Sequence, residues 1–278
     1  MVAVLVIPDG GAEPRHGREP TSLERARTPV LDALRAAGTV RRVATTPAGL
    51  PAGSETGIPT LLGAPPRAPV SRGLLEAASA GIDVPAGARA WRVDLHREDG
   101  TRATAGEARR ALEDLGLHHL RGHRGLAVGA TAPRLPAPWR VWGDGAALPR
   151  VLDARTVVVS GPGAAAGAAR MLGARSVVPA GATGEVHTNL RAKLAAALAA
   201  VDGGAERVVV HVGAPDEAAH ALDADAKVAA LEAIDAELLG ALWDAARGAG
   251  GTLTVCPDHG TDPRTGEHCG ADVEAVAA

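Results

Sequence analysis

The chain alternates between short aliphatic runs and longer stretches in which aliphatic residues recur at helical spacing. The aliphatic runs predict buried strands at residues 2–7, 156–160, 177–178, 207–212 and 252–256. The helical spacing predicts helices at residues 21–37, 105–115, 164–172, 189–201 and 224–247. Pro29 can divide the first of these helices into two. Strands that alternate with helices in this way predict an α/β fold with a mostly parallel sheet flanked by helices.

Three of the predicted strands end in the same dipeptide, Pro-Asp. The carboxylates at these three ends belong to Asp9, Asp216 and Asp258. In an open α/β sheet, ligands bind outside the carboxyl ends of the strands. Three acidic residues at three such ends are therefore expected to converge on one site.

Histidines lie close to two of these carboxylates in the sequence. Asp216 and His220 are four residues apart, so both side chains share one face if the segment begins a helix. His259 directly follows Asp258, and His268 comes after a turn-rich stretch. A mixed set of Asp and His ligands suits Zn²⁺ or Mn²⁺, with Mg²⁺ as a further candidate. Together with Asp9 this set is larger than one tetrahedral site needs, which predicts two divalent metal ions.

A candidate nucleophile stands in residues 40–70, a stretch whose Pro, Gly and Thr content predicts loops. Ser54 follows Gly53, which allows a close approach of the backbone. Two neighbouring metal ions can clamp the attacking and leaving oxygens of a phosphoryl displacement, and coordination activates a hydroxyl group. Any one of these residues alone is more often structural, but together they predict phosphoryl transfer with Ser54 as nucleophile.

Composition argues against several other classes of function. The net charge of −3 and the pI of about 6.4 are untypical of a nucleic-acid-binding protein. No apolar run reaches the length of about 18 residues that a membrane span needs. Phe and Tyr are absent, so the core is expected to consist of Ala, Val and Leu. Two cysteines, Cys256 and Cys269, give no disulfide framework and indicate the reducing cytoplasm.

Two further features carry weaker signals. Glycines from Gly161 to Gly167 follow a predicted strand as in a dinucleotide-binding loop, but the third glycine comes one residue late. We interpret this segment as tight packing of a strand against a helix. The other histidines are expected to be surface or packing residues: His16, His96, His118, His119, His123, His187 and His211.

Motifs spread over nearly the whole chain occur in the order found in one known family. They include Ile7-Pro-Asp-Gly10, Ala26-Arg-Thr-Pro-Val-Leu-Asp32, Gly53-Ser-Glu55, Trp142-Gly-Asp-Gly145, Gly181-Ala-Thr-Gly184, His211-Val-Gly-Ala-Pro-Asp-Glu-Ala-Ala-His220, Pro257-Asp-His259 and His268. In these motifs the chain resembles the cofactor-independent (2,3-bisphosphoglycerate-independent) phosphoglycerate mutases of the archaeal type, within the alkaline phosphatase superfamily.

The resemblance implies a domain organisation. Residues 1–65 and 138–278 would form an alkaline-phosphatase-like core that binds metal, and residues 66–137 a small inserted α+β domain that helps to hold the substrate. Three residues match arginines of the family's insert: Arg72, Arg92 and Arg124. The planar fork of arginine suits phosphate and carboxylate groups, so a small phosphorylated or phosphonate substrate is implied.

The resemblance also divides the candidate metal ligands into two sites. The first site consists of Asp216, His220 and His268. The second consists of Asp9, Ser54, Asp258 and His259, with Ser54 as the residue that becomes phosphorylated. The implied activity is an isomerisation that moves a phosphate group by way of a phosphoserine.

The chain departs from the family in three places. Its insert is shortened, the family's Gly-Ser-Asp ends here in Glu55, and the family's Asp-Thr-Asn begins here with His187. A mutase must hold its intermediate until the phosphate returns to a second hydroxyl, and a smaller insert favours attack by water instead. Three hypotheses follow: a mutase-like enzyme, a phosphatase or phosphonate hydrolase of the same superfamily, and a catalytically idle metal-binding paralogue. The sequence leaves the oligomeric state open.

Overall fold

The computed structural model describes residues 1–278 and contains one sheet of seven strands, one of four and a two-stranded ribbon. The strands are β1 Ala3–Pro8, β2 Thr39–Val43, β3 Arg89–Asp94, β4 His118–Arg121, β5 Arg124–Gly129, β6 Arg140–Val141, β7 Thr156–Val159, β8 Arg175–Val177, β9 Arg207–Val212, β10 Thr252–Val255, β11 Gly260–Thr261, β12 His268–Cys269 and β13 Val273–Ala277. The helices are α1 Ser22–Arg25, α2 Pro29–Ala37, α3 Ser54–Leu61, α4 Arg72–Ala80, α5 Ala105–Asp114, α6 Ala164–Leu172, α7 Leu190–Asp202, α8 Ala214–His220, α9 Ala224–Ile234 and α10 Gly240–Gly248.

The seven-stranded sheet has the order β2-β13-β10-β1-β9-β7-β8. The five strands from β10 to β8 pair in parallel, and β13 and β2 add two antiparallel pairs at one edge. Val4 and Val6 of β1 belong to one buried hydrophobic cluster, and Ile7 belongs to the cluster on the other face. Because both faces are covered, the central strands are aliphatic throughout rather than alternating. The predicted α/β fold class, with a mostly parallel sheet flanked by helices, is confirmed.

Residues 40–70, predicted as loops, contain two elements instead. Strand β2 is a largely exposed edge strand with two arginines, so it lacks the apolar run that marks a buried strand. Helix α3 contains Gly57 and Pro59, residues that are rare within helices. The first predicted helix does divide at Pro29, into α1 and α2. The last one is interrupted by a π-helical segment, Asp235–Leu239, between α9 and α10.

The four-stranded sheet is antiparallel, in the order β4-β5-β3-β6, and α5 packs against it. Its strands were not predicted from the sequence, whereas α5 was. Strand β6 lies at Arg140–Val141, so this sheet extends past residue 137, the predicted end of the insert. Helix α4 packs against both β3 and α6 and thereby joins the two sheets. None of the ten helices has the length and apolar character needed to cross a bilayer.

Candidate active site

Three parallel strands bring their carboxyl ends together at one edge of the large sheet. Strand β1 lies between β9 and β10, so the segments that follow these three strands are neighbours. Asp9 directly follows β1, Asp216 lies in the first turn of α8 after β9, and Asp258 lies in the loop after β10. The structure therefore brings together the three predicted Pro-Asp carboxylates, as the sheet topology requires.

One group of candidate metal ligands consists of Asp216, His220 and His268. His220 Nε2 lies 3.2 Å from Asp216 Oδ2, and His268 Nε2 lies 3.5 Å from Asp216 Oδ1. The two imidazoles approach each other with their Nε2 atoms 3.0 Å apart. Asp216 and His220 share a face of α8, as their four-residue spacing predicts, and β12 brings in His268.

A second group surrounds Asp9. Its Oδ1 lies 3.1 Å from His259 Nε2 and accepts a hydrogen bond from Ser54 Oγ at 3.0 Å. Its Oδ2 lies 3.3 Å from His211 Nε2. Asp258 completes the group, since Asp9, His211 and Asp258 each offer a ligand atom within 4.8 Å of the others.

Sequence reasoning passed over His211 as a surface or packing residue. The side chain is 10% exposed and faces Asp9 from the carboxyl end of β9. Its position on an otherwise aliphatic strand, five residues before Asp216, was a usable signal. A histidine in a buried parallel strand must find a polar partner, and the nearest candidates are at the strand ends.

Several polar atoms in these groups are buried without a hydrogen-bond partner. They are Oδ2 of Asp258, Nε2 of His211 and Nε2 of His259. The two imidazole atoms are close to Asp9 but are not aligned for hydrogen bonds. Buried polar atoms are almost always satisfied, so three orphans in one place indicate a partner that accepts both nitrogen and oxygen ligands. The donor set fits divalent transition metal ions such as Zn²⁺ or Mn²⁺.

The pKa values of the carboxylates in these groups are shifted, because several charges lie close together in a buried site. Burial raises the pKa of Asp258 to about 7, and the negative charge of Asp9 adds to the rise. Burial also opposes ionisation of Asp216, but the imidazoles of His220 and His268 outweigh it and hold its pKa well below the ordinary value. Three carboxylates in one buried site repel one another, which a bound cation would relieve.

The candidate ligands are oriented by backbone carbonyls. Nδ1 of His220 donates to the carbonyl oxygen of Gly266 at 2.8 Å, and Nδ1 of His268 donates to that of Ala52 at 3.0 Å. These bonds turn both Nε2 atoms toward Asp216. Such second contacts commonly fix the tautomer and ring orientation of metal-binding histidines.

A buried lysine connects two of the loops that carry candidate ligands. Lys227 on α9 is fully buried, and its Nζ donates to the carbonyl oxygens of Ala12 at 3.1 Å and Thr261 at 2.6 Å. Ala12 follows Asp9 in one loop, and Thr261 follows His259 in the other. Lys227 therefore fixes the relative position of the two loops.

Ser54 is the first residue of α3. The N–H groups in the first turn of a helix point out of its end, and the helix dipole makes that end positive. An anion next to Ser54 Oγ would therefore be stabilised, as phosphate groups commonly are at helix N-termini. The same helix places Ser54 beside Asp9.

Helix α3 packs directly on the loop that carries Asp258. A Cβ atom on Gly57 would lie 2.1 Å from the backbone carbonyl oxygen of Asp258, closer than any real contact. We expect Gly57→Ala to push α3 away from that loop, to lower the free energy of unfolding by about 1–3 kcal/mol and to reduce turnover. Urea unfolding and a phosphoryl-transfer assay would measure both effects.

Gly240→Ala is the matched control for Gly57→Ala. Gly240 is also helical, and a Cβ atom added to it would meet no neighbouring group within 4 Å. This change should therefore stabilise the protein slightly, by about 0.5–1 kcal/mol. If Gly57→Ala kept wild-type stability and turnover, the close packing of α3 on the Asp258 loop would not matter.

A cleft of about 500 Å³ lies between the candidate ligands and the four-stranded sheet. Six arginines line it: Arg72, Arg92, Arg102, Arg121, Arg124 and Arg140. Only four of its 28 lining residues are hydrophobic. A cleft of this kind suits a small anion and no apolar ligand.

The three arginines predicted to bind substrate differ in their carboxylate partners and in the number of hydrogen bonds that they form. Arg72 pairs with Glu55, at 2.7 Å between Nη2 and Oε1, and stacks over the ring of Trp142. Arg92 forms two hydrogen bonds of 2.8 Å with Asp94. Arg124 forms one hydrogen bond, of 3.0 Å, with Glu217. All three line the same cleft as Ser54 and Asp9.

Further residues of the cleft were not predicted. Arg102 and Arg121 carried no motif signal, because charged residues in a loop and on a short strand look like any solvated surface. Glu217 lies within the His211–His220 motif, but the motif does not reveal its contacts with Arg102 and Arg124. His123 lies in the cleft wall, where burial lowers its pKa to about 4, so it is neutral at pH 7. Only knowledge of the fold shows that these residues share a cleft with candidate metal ligands.

Comparison with known proteins identifies the family. The model of the metalloenzyme superfamily matches residues 1–277, so the chain belongs to the metalloenzyme superfamily. A probable 2,3-bisphosphoglycerate-independent phosphoglycerate mutase of Geobacter sulfurreducens is 28% identical over 340 aligned positions, which cover 92% of this chain and 84% of the relative. A 2,3-bisphosphoglycerate-independent phosphoglycerate mutase of Methanothermobacter thermautotrophicus is 41% identical over 98 residues, 35% of this chain and 24% of the relative.

Solved structures agree on the fold. A protein of Pyrococcus horikoshii has a TM-score of 0.83 at 24% identity and covers 100% of this chain and 84% of its own. The cofactor-independent phosphoglycerate mutase of Thermoplasma acidophilum has a TM-score of 0.57 at 17% identity and covers 100% of this chain and 90% of its own. The predicted family resemblance is confirmed. The alignment of 340 positions exceeds the 278 residues of this chain, so the chain lacks segments that the Geobacter relative has.

Proposed function

We propose that this metalloenzyme transfers phosphoryl groups by way of a phosphorylated Ser54, in the manner of a phosphoglycerate mutase. One observation carries the proposal. Ser54 Oγ lies at a helix N-terminus, 3.0 Å from Asp9 Oδ1, within a cluster of carboxylates and imidazoles whose buried atoms lack partners. A hydroxyl group in this setting is placed to be activated and to hold a phosphate afterwards.

The proposal assigns the two candidate groups to two divalent metal ions, Mn²⁺ or Zn²⁺, with Mg²⁺ as a further candidate. Asp216, His220 and His268 would hold one ion. Asp9, Ser54, Asp258, His259 and His211 would contribute to the other. When bound, such ions lower the pKa of a coordinated hydroxyl and neutralise the charge of a phosphoryl group.

The remaining chemistry belongs to residues of the chain. Ser54 Oγ attacks phosphorus, the oxygen–phosphorus bond of the substrate breaks, and the substrate keeps its oxygen as a hydroxyl group. The amino end of α3 stabilises the phosphate on Ser54. In a mutase the phosphate then returns to a neighbouring hydroxyl of the same substrate, which the arginine-lined cleft must retain. The substrate class is a small phosphorylated metabolite, and the names of the relatives make phosphoglycerate the first to test.

Net hydrolysis is the second candidate. It is favoured by the gaps that the alignment requires in this chain, since a smaller enclosure exposes the phosphoserine to water. The test is to supply 3-phosphoglycerate to the Mn²⁺- or Zn²⁺-loaded protein and to measure 2-phosphoglycerate and free phosphate together. Formation of 2-phosphoglycerate supports the mutase, and free phosphate alone supports the hydrolase. Bound metal without turnover of any phosphate ester would contradict both and favour the idle paralogue.

A further inference from the structure

Lysine is rare in this chain. Of its 29 lysine and arginine residues only two are lysines, Lys193 and Lys227. Both side chains are fully buried. Removing an ammonium group from water is costly unless its N–H groups find acceptors. A compact ammonium group fits between backbone carbonyls that a larger, planar guanidinium group would push apart, so lysine at these two positions indicates a need for its shape.

Each lysine joins two backbone segments at the carboxyl edge of the large sheet. Lys227 connects two loops that carry candidate ligands. Lys193 on α7 donates from Nζ to the carbonyl oxygen of His211 at 2.9 Å and, at a longer 3.5 Å, to that of Thr183. His211 lies near the end of β9, and Thr183 lies in the loop between β8 and α7. The two lysines therefore brace different parts of the candidate site.

The carbonyl group of His211 has no strand to bind on the side of Lys193. The next carbonyl group, that of Val212, faces β1 and accepts a hydrogen bond from the N–H group of Asp9 at 3.0 Å. Successive carbonyl groups of a strand point to opposite sides, so the carbonyl group of His211 faces β7. Pairing of β9 with β7 ends at Val210, one residue earlier. Lys193 therefore takes the place of the strand that is missing there.

The two lysines differ in their charged neighbours. Lys227 Nζ lies 2.9 Å from Glu13 Oε2, whereas no carboxylate lies within 4.0 Å of Lys193 Nζ. Burial lowers the pKa of Lys193 to about 8, and the negative charge of Asp9 opposes the decrease. The ammonium group is therefore mostly protonated at pH 7. A buried charge without an ion pair costs stability, so packing of the core does not by itself explain a lysine here.

The loop that contains Thr183 supports the floor of the cleft, which consists of three glycines that line it: Gly161, Gly184 and Gly213. A Cβ atom on Gly161 would lie 2.4 Å from the carbonyl oxygen of Thr183, and one on Gly213 would lie 2.8 Å from that of Gly184. The loop is therefore packed tightly against the segments that follow β7 and β9. By binding Thr183, Lys193 holds this loop in place from the side of α7.

We propose that Lys193 is a positioning residue of the candidate active site, which fixes the end of β9 and the floor of the cleft relative to each other. The effect reaches Asp9, because His211 Nε2 lies 3.3 Å from Asp9 Oδ2. A shift of the His211 backbone would move its imidazole out of the second group of candidate metal ligands. The part of this inference that concerns turnover rests on the proposed function. The part that concerns metal binding rests on membership of the metalloenzyme superfamily and on the clustered ligands.

Lys193→Met tests the proposal, because it keeps the length of the side chain and removes both its charge and its N–H donors. Co²⁺ serves as the metal ion, since its visible absorption reports the geometry of its ligands. We expect the substitution to change this absorption and to weaken binding of the second Co²⁺ by about tenfold, as loss of a contact that orients ligands commonly does. With 3-phosphoglycerate as substrate, kcat should fall by about tenfold while KM changes by less than about twofold.

Leu242→Ala is the control for lost stability. Leu242 is fully buried on α10, belongs to the same hydrophobic cluster as Val210, and lies outside the cleft. Its truncation leaves a cavity in the core and should lower the midpoint of thermal unfolding. The Co²⁺ absorption, both Co²⁺ affinities, kcat and KM should remain those of the wild type. All measurements are made well below the unfolding midpoint of every variant.

A measurement on the wild-type protein covers the case in which Lys193→Met does not fold. Because the chain has two lysines, labelling lysine with ¹³C at Cε gives two NMR signals. The signal that is missing from Lys227→Met belongs to Lys227, and the other belongs to Lys193. We expect the Lys193 signal to shift when Zn²⁺ is added, because the ion changes both the charge and the geometry of the ligands that Lys193 supports.

Three results would overturn the inference. Wild-type absorption, affinity and kinetics in Lys193→Met would show that Lys193 only fills the core. Equal changes in Lys193→Met and Leu242→Ala would show that lost stability explains both. A Lys193 NMR signal that does not respond to Zn²⁺ would show that Lys193 is not coupled to the metal ligands. If the wild-type protein turned over no phosphate ester, the proposed function would fail, and the Co²⁺ absorption and affinity would still decide the role of Lys193.

Discussion

Ser54→Ala is expected to lower turnover by at least about 10³-fold while the protein keeps its fold and its metal ions. The substitution removes one oxygen atom, which forms a single hydrogen bond to Asp9. The other candidate ligands, Asp216, His220, His268, Asp258 and His259, are left in place. Turnover of a phosphate ester, metal content and thermal unfolding, measured on the same preparation, test this expectation.

Ser176→Ala is the matched control for Ser54→Ala. Ser176 lies on the edge strand β8, outside the cleft, and its hydroxyl has no hydrogen-bond partner. Its removal should leave turnover and stability unchanged. Full activity in Ser54→Ala would show that the phosphate passes directly to its acceptor. Loss of the metal ions along with activity would make Ser54 a ligand only and leave its nucleophilic role without support.

Asp258→Asn is expected to stabilise the metal-free protein and to destabilise the metal-loaded protein. In the metal-free protein it should raise the free energy of unfolding at pH 8 by about 1–3 kcal/mol, because it removes a buried charge beside Asp9. In the metal-loaded protein it removes a proposed ligand, and a 100-fold loss of metal affinity would cost about 2.7 kcal/mol of stabilisation. Urea unfolding, carried out once with a chelator and once with Mn²⁺, measures the change in the free energy of unfolding in each state.

The pH dependence of the metal-free effect follows from the pKa of Asp258. Burial, together with the charge of Asp9, raises this pKa from 3.8 to about 7 in the fold. Between these values the folded protein holds a proton that the unfolded chain has released, so wild-type stability falls as the pH rises. Asn does not titrate, so the stabilisation of the metal-free protein by Asp258→Asn should be present at pH 8 and should fade toward pH 4. Asp202→Asn, at an exposed position on α7, should show neither the sign reversal nor this pH dependence.

Much of the core was predictable because its signals are local. The aliphatic runs of β1, β9 and β10 need only their own composition to be recognised, and parallel pairing then fixes where Asp9, Asp216 and Asp258 meet. The four-residue spacing of Asp216 and His220 likewise depends on α8 alone. These predictions required no knowledge of long-range contacts.

The side of the cleft formed by the four-stranded sheet was not predictable in the same way. Strands β3 to β6 are short and polar on one side, and their arginines resemble solvated surface until a partner is known. Arg124 meets Glu217 across 93 positions of sequence, and Arg102 meets it across 115. His211 is an intermediate case. Its position on an aliphatic strand signals a buried polar contact, but the partner, Asp9, is identified only once β1 lies beside β9.

The most direct test of a phosphoserine intermediate is to search for phosphate on Ser54 during turnover. The Mn²⁺-loaded wild-type protein would be mixed with 3-phosphoglycerate, quenched with acid after short intervals, digested and analysed by mass spectrometry. We expect the peptide that contains Ser54 to gain one phosphoryl group on Ser54, the signal to disappear as substrate is exhausted, and Ser176 never to be labelled. Turnover at full rate without phosphate on Ser54 at any interval would contradict the phosphoserine mechanism.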